Sequence, residues 1–282
     1  MFQDLIYEVK GPIAYITMNR PTQLNVLSVR LVKELKEAAL MAESQENVAV
    51  VILRGEGRAF SAGYDIQEET ETVWDSPVEW RNTLKADIDL ALTYWNLSIP
   101  VIAAVQGYCL GGACELAMAC DITVASDDAV FGEPEIRYGS GPVALIMPWV
   151  VGMKRTKELL YTGDLISATD ALQYDMVSRV VAREQLDAST EALALKIART
   201  PVTILRLTKR PINQCFEFMG LLSGIQYNLE ISTTLNGAKL PEQEEFDAIA
   251  KRDGLKIALK WRDSRFGESL SQTSSSRRSP SS

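Results

Sequence analysis

Histidine is absent from this chain of 282 residues. Its absence excludes the Ser-His-Asp and Cys-His nucleophilic mechanisms, and it argues against a catalytic zinc site. We therefore expect no metal. Any acid–base chemistry falls to carboxylates, Lys, Tyr or Cys.

Cysteine is scarce, and no two cysteines form a C-x-x-C pair. The four are Cys109, Cys114, Cys120 and Cys215, three of them in apolar stretches. This pattern favours reduced, buried thiols in a reducing compartment over disulfides or metal ligands.

Long apolar runs and an excess of basic residues are also missing. The apolar run at residues 143–151 is far shorter than the ~20 residues that a membrane span needs. The net charge of −8 argues against nucleic acid, which binds basic surfaces. The first residues show neither a signal-peptide nor a transit-peptide pattern. We expect a cytoplasmic protein that binds neither nucleic acid nor membrane.

The N-terminal half alternates between strand-like and helix-like patterns. Apolar–polar alternation predicts a hairpin of Leu5–Lys10 and Ile13–Met18. Ser28 is a predicted N-cap of the helix that follows it, and residues 48–53 and 100–105 are typical of buried strands. Strands and helices in this order predict an α/β fold with parallel pairing.

From about Pro142 the pattern becomes helical and stays so to the end of the ordered chain. Ser167 and Asp170 form a predicted capping box. The last twelve residues hold too little apolar surface to offset the entropy lost on ordering. We predict a core with the active site at residues 1–200, a helical region at 201–267 and a disordered Ser-rich tail at 268–282.

Two glutamates behind glycine-marked turns carry the functional argument. Glu115 follows Gly111-Gly112, and Glu135 follows Gly132. Each alone has an ordinary explanation, because an acid gains from a helix N-terminus and loop glutamates are usually solvated. Two glycine turns can aim N–H groups at one oxygen, and two carboxylates can hold one water. Together these parts can polarise an acyl carbonyl and add or remove water beside it.

Several motifs in fixed order resemble the enoyl-CoA hydratase/isomerase (crotonase) superfamily over residues 5–266. The matching segments are residues 19–21, 24–27, 57–66, 100–115, 131–135, 161–164 and 167–168. The resemblance implies an α/β crotonase (ClpP/crotonase-like) spiral of ββα units with a C-terminal helical trimerisation region. It also implies an acyl-CoA substrate and no cofactor, since coenzyme A is part of the substrate.

The resemblance also implies roles for individual residues of this chain. The oxyanion-hole amides fall on Tyr64 and Gly112. Glu115 would activate water, and Glu135 would deliver the α-proton during hydration of a 2-enoyl thioester. Four further residues would contact the substrate: Ala62, Asp65, Ile66 and Gly111.

Three segments depart from the family pattern. Gln67 stands where relatives often carry Lys or Ser, which argues against a basic contact to coenzyme A there. Residues 139–149 replace a glycine-rich stretch that helps to wall the acyl pocket. Residues 68–80, rich in acids and tryptophan, could form a lid over that pocket. The sequence therefore does not identify the acyl chain of the substrate.

Other functions compete with hydration. A sibling reaction could use the same oxyanion hole, as in a hydrolase, an isomerase or a hydratase/lyase. A non-catalytic or RNA-binding relative fits poorly with the acidic charge and the two retained glutamates. A Clp-type serine protease needs a histidine that this chain lacks.

The C-terminal third carries apolar residues that predict a homotrimer or a dimer of trimers. These residues are Leu205, Ile212, Phe216, Met219, Leu221, Leu222 and Ile225. The resemblance implies that the chain end reaches a neighbour's coenzyme A site through Trp261, Arg262, Arg265 and Phe266. The alternative is a C-terminal helix pair packed on its own core.

Overall fold

A six-stranded sheet lies at the centre of the protein in the computed structural model, which describes residues 2–72, 76–238 and 240–267. The strands are β1 (Leu5–Lys10), β2 (Ile13–Met18), β3 (Val50–Gly55), β4 (Val101–Val105), β5 (Tyr108–Leu110), β6 (Ile122–Ser126), β7 (Val130–Gly132), β8 (Ile166–Ser167) and β9 (Arg179–Val181). The main sheet has the order β1-β2-β3-β4-β6-β9, and a smaller sheet has the order β5-β7-β8. β1 and β2 pair antiparallel, and the remaining neighbours in the main sheet pair parallel.

Helices connect and cover these strands. They are α1 (Val29–Ser44), α2 (Ile66–Glu71), α3 (Pro77–Asn96), α4 (Gly112–Ala119), α5 (Met147–Val150), α6 (Met153–Thr162), α7 (Ala168–Gln173), α8 (Leu186–Ile197), α9 (Val202–Phe218), α10 (Leu221–Gly237), α11 (Pro241–Asp253) and α12 (Leu255–Ser264). A 3-10 helix, Pro134–Tyr138, follows β7. The predicted α/β fold with parallel pairing is confirmed.

Local sequence signals account for several of these elements. The predicted hairpin forms in full register, from Leu5 opposite Met18 to Lys10 opposite Ile13. Ser28 caps α1 by accepting a hydrogen bond from the Leu31 amide at 3.2 Å. Every residue of β2 and β4 is buried, as expected for interior strands of a sheet covered on both faces.

The prediction that the chain is helical from Pro142 onward is wrong at two places. β8 and β9 are short strands, and β9 extends the main sheet beside β6. A strand of two or three residues is too short to show the period-2 alternation that identifies strands in sequence. The capping box before α7 is confirmed, with Ser167 and Asp170 exchanging hydrogen bonds.

Three of the four cysteines are buried free thiols, in agreement with the sequence interpretation, and Cys215 is exposed. The predicted disordered tail at residues 268–282 lies outside the described residues. The division into a core and a C-terminal helical region stays a prediction.

The last two helices fold back over their own chain. α11 and α12 pack on each other and on the 3-10 helix Pro134–Tyr138. The Arg137 guanidinium lies under the Phe266 ring at 4.8 Å, and its Nη1 is 3.7 Å from Asp263 Oδ1. Arg262 is buried and pairs with Asp263 at 2.8 Å. Arg262 and Phe266 therefore contact residues of their own chain in this structure, and the expectation that they reach a neighbouring subunit stays a prediction.

Candidate active site

The segment around Ser61 meets strand β5 by backbone pairing at the edge of the small sheet. Ser61 forms a parallel bridge with Cys109, and the Leu110 amide donates to the Ser61 carbonyl at 3.1 Å. A Cβ added to Gly63, whose φ is +93°, would lie 2.8 Å from the Leu110 carbonyl oxygen. Only glycine permits this approach, and it brings residue 64 beside the start of α4.

Asn25 fixes the first of these segments from behind. Its side chain is fully buried and donates to the carbonyls of Glu56 and Ala59 at 2.9 Å and 2.8 Å. The Leu27 amide donates to the Gly63 carbonyl at 2.8 Å. The motif at residues 24–27 therefore shapes the turn that carries Tyr64.

The second segment is the turn from β5 into α4. Gly111 has φ +53° and donates to the Gly132 carbonyl at 2.8 Å. Gly112 begins α4, and the Tyr64 ring lies directly on it. A Cβ at Gly112 would stand 2.2 Å from Tyr64 Cε2. Glycine at position 112 therefore makes room for the Tyr64 side chain.

The backbone amides of Tyr64 and Gly112 both lack a hydrogen-bond acceptor within the described residues. The Gly112 amide also lies in the first turn of α4, where the helix dipole favours negative charge.

Glu115 lies one turn into α4 with 1% of its surface exposed. Its Oε1 accepts a hydrogen bond from the Ala144 amide at 2.7 Å, whereas its Oε2 has no partner among the described residues. Burial raises the pKa of Glu115 to about 7, against the opposing effect of the Ala144 and Val143 amides.

Glu135 is the second residue of the 3-10 helix and reaches back over the glycine turn. A Cβ at Gly111 would lie 3.1 Å from its Oε1 and 3.3 Å from its Oε2. Burial and the neighbouring Glu115 charge raise the pKa of Glu135 to about 8, and the Arg262 charge opposes this rise. The structure thus brings both predicted glutamates to the same glycine turn.

The four predicted substrate contacts lie along the same two segments. The Ala62 amide donates to the Leu24 carbonyl at 3.0 Å, and Ile66 begins α2. The Asp65 carboxylate is occupied by contacts within the chain. It pairs with Arg20 at 3.2 Å and caps α2 at the Glu68 amide.

A cavity of about 690 Å³ opens beside this site, between α2, the 3-10 helix and α11. Ile66, Glu69, Trp80 and Asp247 line it, together with the stacked rings of Tyr138 and Phe246, whose centroids are 4.5 Å apart. Part of the predicted lid therefore forms one wall, and residues 73–75 of that segment lie outside the described residues. Burial, Asp247 and Glu135 raise the pKa of Glu69 to about 7.

Three further carboxyl groups around the site were missed by sequence reasoning. Burial raises the pKa of Asp87 well above its ordinary value, as do the charges of Glu69 and Glu115. Glu133 is buried two residues before Glu135, and Glu69 lines the cavity. Two of them carried a sequence signal, because Glu133 belongs to the motif that contains Glu135 and Glu69 belongs to the acid-rich segment predicted as a lid.

Comparison with known proteins identifies the family to which the chain belongs. The family model for enoyl-CoA hydratase/isomerase matches residues 8–242. A solved enoyl-CoA hydratase/isomerase from Xanthobacter autotrophicus Py2 superposes with a TM-score of 0.93 and 40% identity, over 95% of this chain and 100% of that chain. The chain belongs to the enoyl-CoA hydratase/isomerase family and has the crotonase fold that the sequence predicted.

Two curated relatives are similar over most of their length. A probable mitochondrial enoyl-CoA hydratase from Dictyostelium discoideum is 36% identical over 78% of each chain. A short-chain-enoyl-CoA hydratase from Clostridium acetobutylicum is 33% identical over 87% of this chain and 93% of its own.

Neither a membrane span nor a metal cluster is found in the described part of the chain. No helix there is long and apolar enough to cross a bilayer. No three His, Cys, Asp or Glu side chains there are placed to hold one metal ion.

The raised carboxyl pKa values predict a pH-dependent stability. Between the ordinary pKa of 4.5 and about 8, the folded chain keeps a proton on Glu135 that the unfolded chain has lost. Stability therefore falls as pH rises through that window. Glu135→Gln should raise the melting temperature at pH 8 and leave it nearly unchanged at pH 5. A gain of ~1 kcal/mol corresponds to roughly 2–4 °C in domains approaching this size.

Thermal unfolding followed by circular dichroism at the two pH values measures this difference. Glu46→Gln, at an exposed position, is the matched control and should show no such pH dependence. Equal melting temperatures of the Glu135→Gln variant and wild type at pH 8 would contradict the raised pKa.

Proposed function

We propose that the protein is an enoyl-CoA hydratase, which adds water across the α,β double bond of a 2-enoyl-CoA thioester. The observation that carries this proposal is the pairing of Glu115 with Glu135 at one glycine turn, beside two amides that donate to no described residue. Relatives named as enoyl-CoA hydratases at 33–36% identity support the same reaction.

The two amides would serve as the oxyanion hole. The thioester oxygen accepts hydrogen bonds from the Tyr64 and Gly112 amides, and negative charge grows on it as water adds to the β-carbon. Both donors are fixed by the surrounding backbone, so they need not reorganise as this charge develops. The N-terminus of α4 adds its dipole at the same place.

The two glutamates would divide the proton transfers. Burial raises the pKa of both carboxyls, to about 7 for Glu115 and about 8 for Glu135, so one can be ionised while the other keeps its proton. Glu115, which accepts a hydrogen bond from the Ala144 amide, takes the proton of the attacking water, and Glu135 delivers a proton to the α-carbon. The hydroxyl bonds to the β-carbon, and proton exchange between the two carboxyls restores the starting state. No metal or redox cofactor takes part.

Substrate binding would use the segments around the oxyanion hole. Ala62, Ile66 and Gly111 line the path of the thioester, and coenzyme A enters as part of the substrate. Asp65 contributes to substrate binding indirectly, by ordering the backbone at the start of α2, because its carboxylate is already paired with Arg20. The cavity beside Glu135 holds the acyl group.

A sibling reaction of the family is the competing proposal. An isomerase moves the double bond without adding water, and a hydrolase places solvent oxygen on the released acid. Reaction in ¹⁸O-water separates these outcomes, because only hydration puts the label on the β-hydroxyl group.

Removing either carboxyl should reduce turnover. Glu115→Gln and Glu135→Gln should each lower kcat by at least ~10²-fold with little change in KM, since general acid–base catalysis contributes 10²–10⁴-fold. In the wild type, kcat/KM should pass through a maximum at near-neutral to slightly alkaline pH, because both carboxyl pKa values are raised and the reaction needs one carboxyl ionised and the other protonated. Loss of the thioester-conjugated absorbance measures the rate. Near-wild-type turnover in either variant would refute the two-carboxylate mechanism.

The contact between the Tyr64 ring and Gly112 allows a test of the oxyanion hole. Gly112→Pro removes the amide hydrogen and should abolish activity. Gly112→Ala keeps the amide, but its Cβ would meet the Tyr64 ring at 2.2 Å and must displace it. Tyr64→Ala keeps its own amide and should mainly alter acyl preference.

The double variant Gly112→Ala/Tyr64→Ala removes the clash and should recover activity lost in Gly112→Ala. A double-mutant cycle on kcat/KM gives the coupling between the two positions. Additive losses in correctly folded proteins would show that the ring does not act through position 112.

We further propose that the protein assembles as a homotrimer or a dimer of trimers. Leu221 and Ile225, expected at a subunit interface, are instead buried in the chain's own core. The exposed apolar residues of α9, α10 and the turn between them are Ile204, Leu207, Ile212, Phe218, Met219, Leu222, Tyr227 and Ile231. A row of large apolar side chains facing solvent along two helices supports an interface there.

Light scattering at low micromolar concentration should therefore give three or six times the chain mass of 31.2 kDa. Leu207→Glu, at 66% exposure, should lower the measured mass, whereas Glu46→Gln should not. A wild-type mass of a single chain would refute the assembly.

A further inference from the structure

Glu133 is a third buried carboxyl group beside the two glutamates already described. It follows β7 directly and has 2% of its surface exposed. β7 pairs with β5 so that Gly132 lies opposite Leu110, and the Gly111 amide donates to the Gly132 carbonyl at 2.8 Å. This register places Glu133 behind the glycine turn, next to the first turn of α4.

An oxygen of Glu133 lacks a hydrogen-bond partner. Within the described residues, the buried carboxyl oxygens without a partner are Glu133 Oε2 and Glu115 Oε2. A buried polar atom without a partner costs free energy, so such atoms are rare unless a function or a bound water requires them. Both atoms belong to residues that flank the same glycine turn.

The charges around Glu133 favour its neutral form. Burial and the charges of Glu115, Glu135 and Cys114 all raise the pKa of Glu133 well above its ordinary value. The Tyr64 phenol faces the same group of carboxyls and is also kept neutral by burial and by their charges. Like charges in an enclosed site cannot all ionise, so a proton must stay on one of the carboxyls.

We propose that Glu133 is a positioning residue, a carboxylic acid that stays neutral and donates its hydrogen bond toward the Glu115 carboxylate, directly or through one buried water. The inference rests on the proposed function, because it assigns Glu133 to the support of the residue that activates water. The donated hydrogen bond stabilises the ionised form of Glu115. It also fixes the orientation of the Glu115 side chain, whose other hydrogen bonds within the described part of the chain come from backbone amides at residues 143–144.

Two substitutions separate this role from simple packing. Glu133→Gln keeps the shape and a hydrogen-bond donor but cannot ionise, so kcat and the pH profile should stay close to those of the wild type. Glu133→Leu removes the donor and should lower kcat by about 10- to 100-fold, the equivalent of a lost hydrogen bond to a charged group. KM should change little. The acid limb of kcat/KM should move to higher pH in Glu133→Leu, because the ionised Glu115 has lost a stabilising donor.

Two outcomes would overturn the proposal. If Glu133 were ionised in the wild type, Glu133→Gln would remove a negative charge and shift the acid limb to lower pH. If Glu133 only filled space, Glu133→Leu would leave the acid limb where it is. Circular dichroism and thermal unfolding of both variants establish that they are folded.

A spectroscopic measurement keeps the test independent of hydratase activity. Infrared spectra at about pH 9, above the pKa values of Glu115 and Glu135, should show protonated-carboxyl carbonyl absorption that is weaker in Glu133→Gln. The remaining absorption comes from Asp87, whose pKa burial also raises. Unchanged absorption in Glu133→Gln would refute the neutral state of Glu133 even if the wild type hydrated no substrate. Weaker absorption together with an inactive wild type would refute the proposed function alone.

Discussion

The site depends on the backbone contact between two segments that pair at Ser61 and Cys109. This pairing is possible because Gly63 lies against the Leu110 carbonyl, where a side chain would collide. It places the Tyr64 amide beside the start of α4 while both the Tyr64 and the Gly112 amides stay without a described acceptor. The strands and the buried Asn25 thus hold two backbone amides without an acceptor among the described residues. In a flexible loop these amides would turn and donate to nearby carbonyls.

Burial of several carboxyl groups around that contact has a cost in stability. Glu115 and Glu135 keep protons at pH values where exposed glutamates have lost them, because the interior disfavours their charged forms. Such groups destabilise the folded state as pH rises, which is the usual relation between an active site and the core that holds it. The surrounding sheet, whose parallel strands are buried, offsets this cost.

The parts of the fold that carry strong local sequence patterns could be predicted from the sequence. The hairpin, the Ser28 cap and the capping box at Ser167 each depend on local residues, so their geometry follows from short-range chemistry. β8 and β9 were missed because strands of two or three residues are defined by their partners and not by their own sequence. The glutamates were found because glycine marks the turns before them.

Other features of the site depend on tertiary contacts that no local pattern encodes. The Tyr64 ring lies on Gly112, and this contact joins residues from two different loops. The partner of Glu115 is a backbone amide at Ala144, whose side chain carries no information about that hydrogen bond. The effect of the Arg262 charge on Glu135 of the same chain also depends on how α12 packs against the 3-10 helix, which no local pattern predicts.

Because α12 packs on the 3-10 helix that carries Glu135, the surroundings of the site are completed late in synthesis. Glu135 obtains the opposing charge of Arg262 from a segment close to the end of the described chain. During synthesis the ribosome releases the glutamates, the glycine turns and the sheet long before it releases that arginine. A nascent chain that ends before Arg262 therefore lacks both this opposing charge and the cover that α12 gives to the 3-10 helix carrying Glu135. The surroundings of Glu135 are complete only when the last helix has been synthesised.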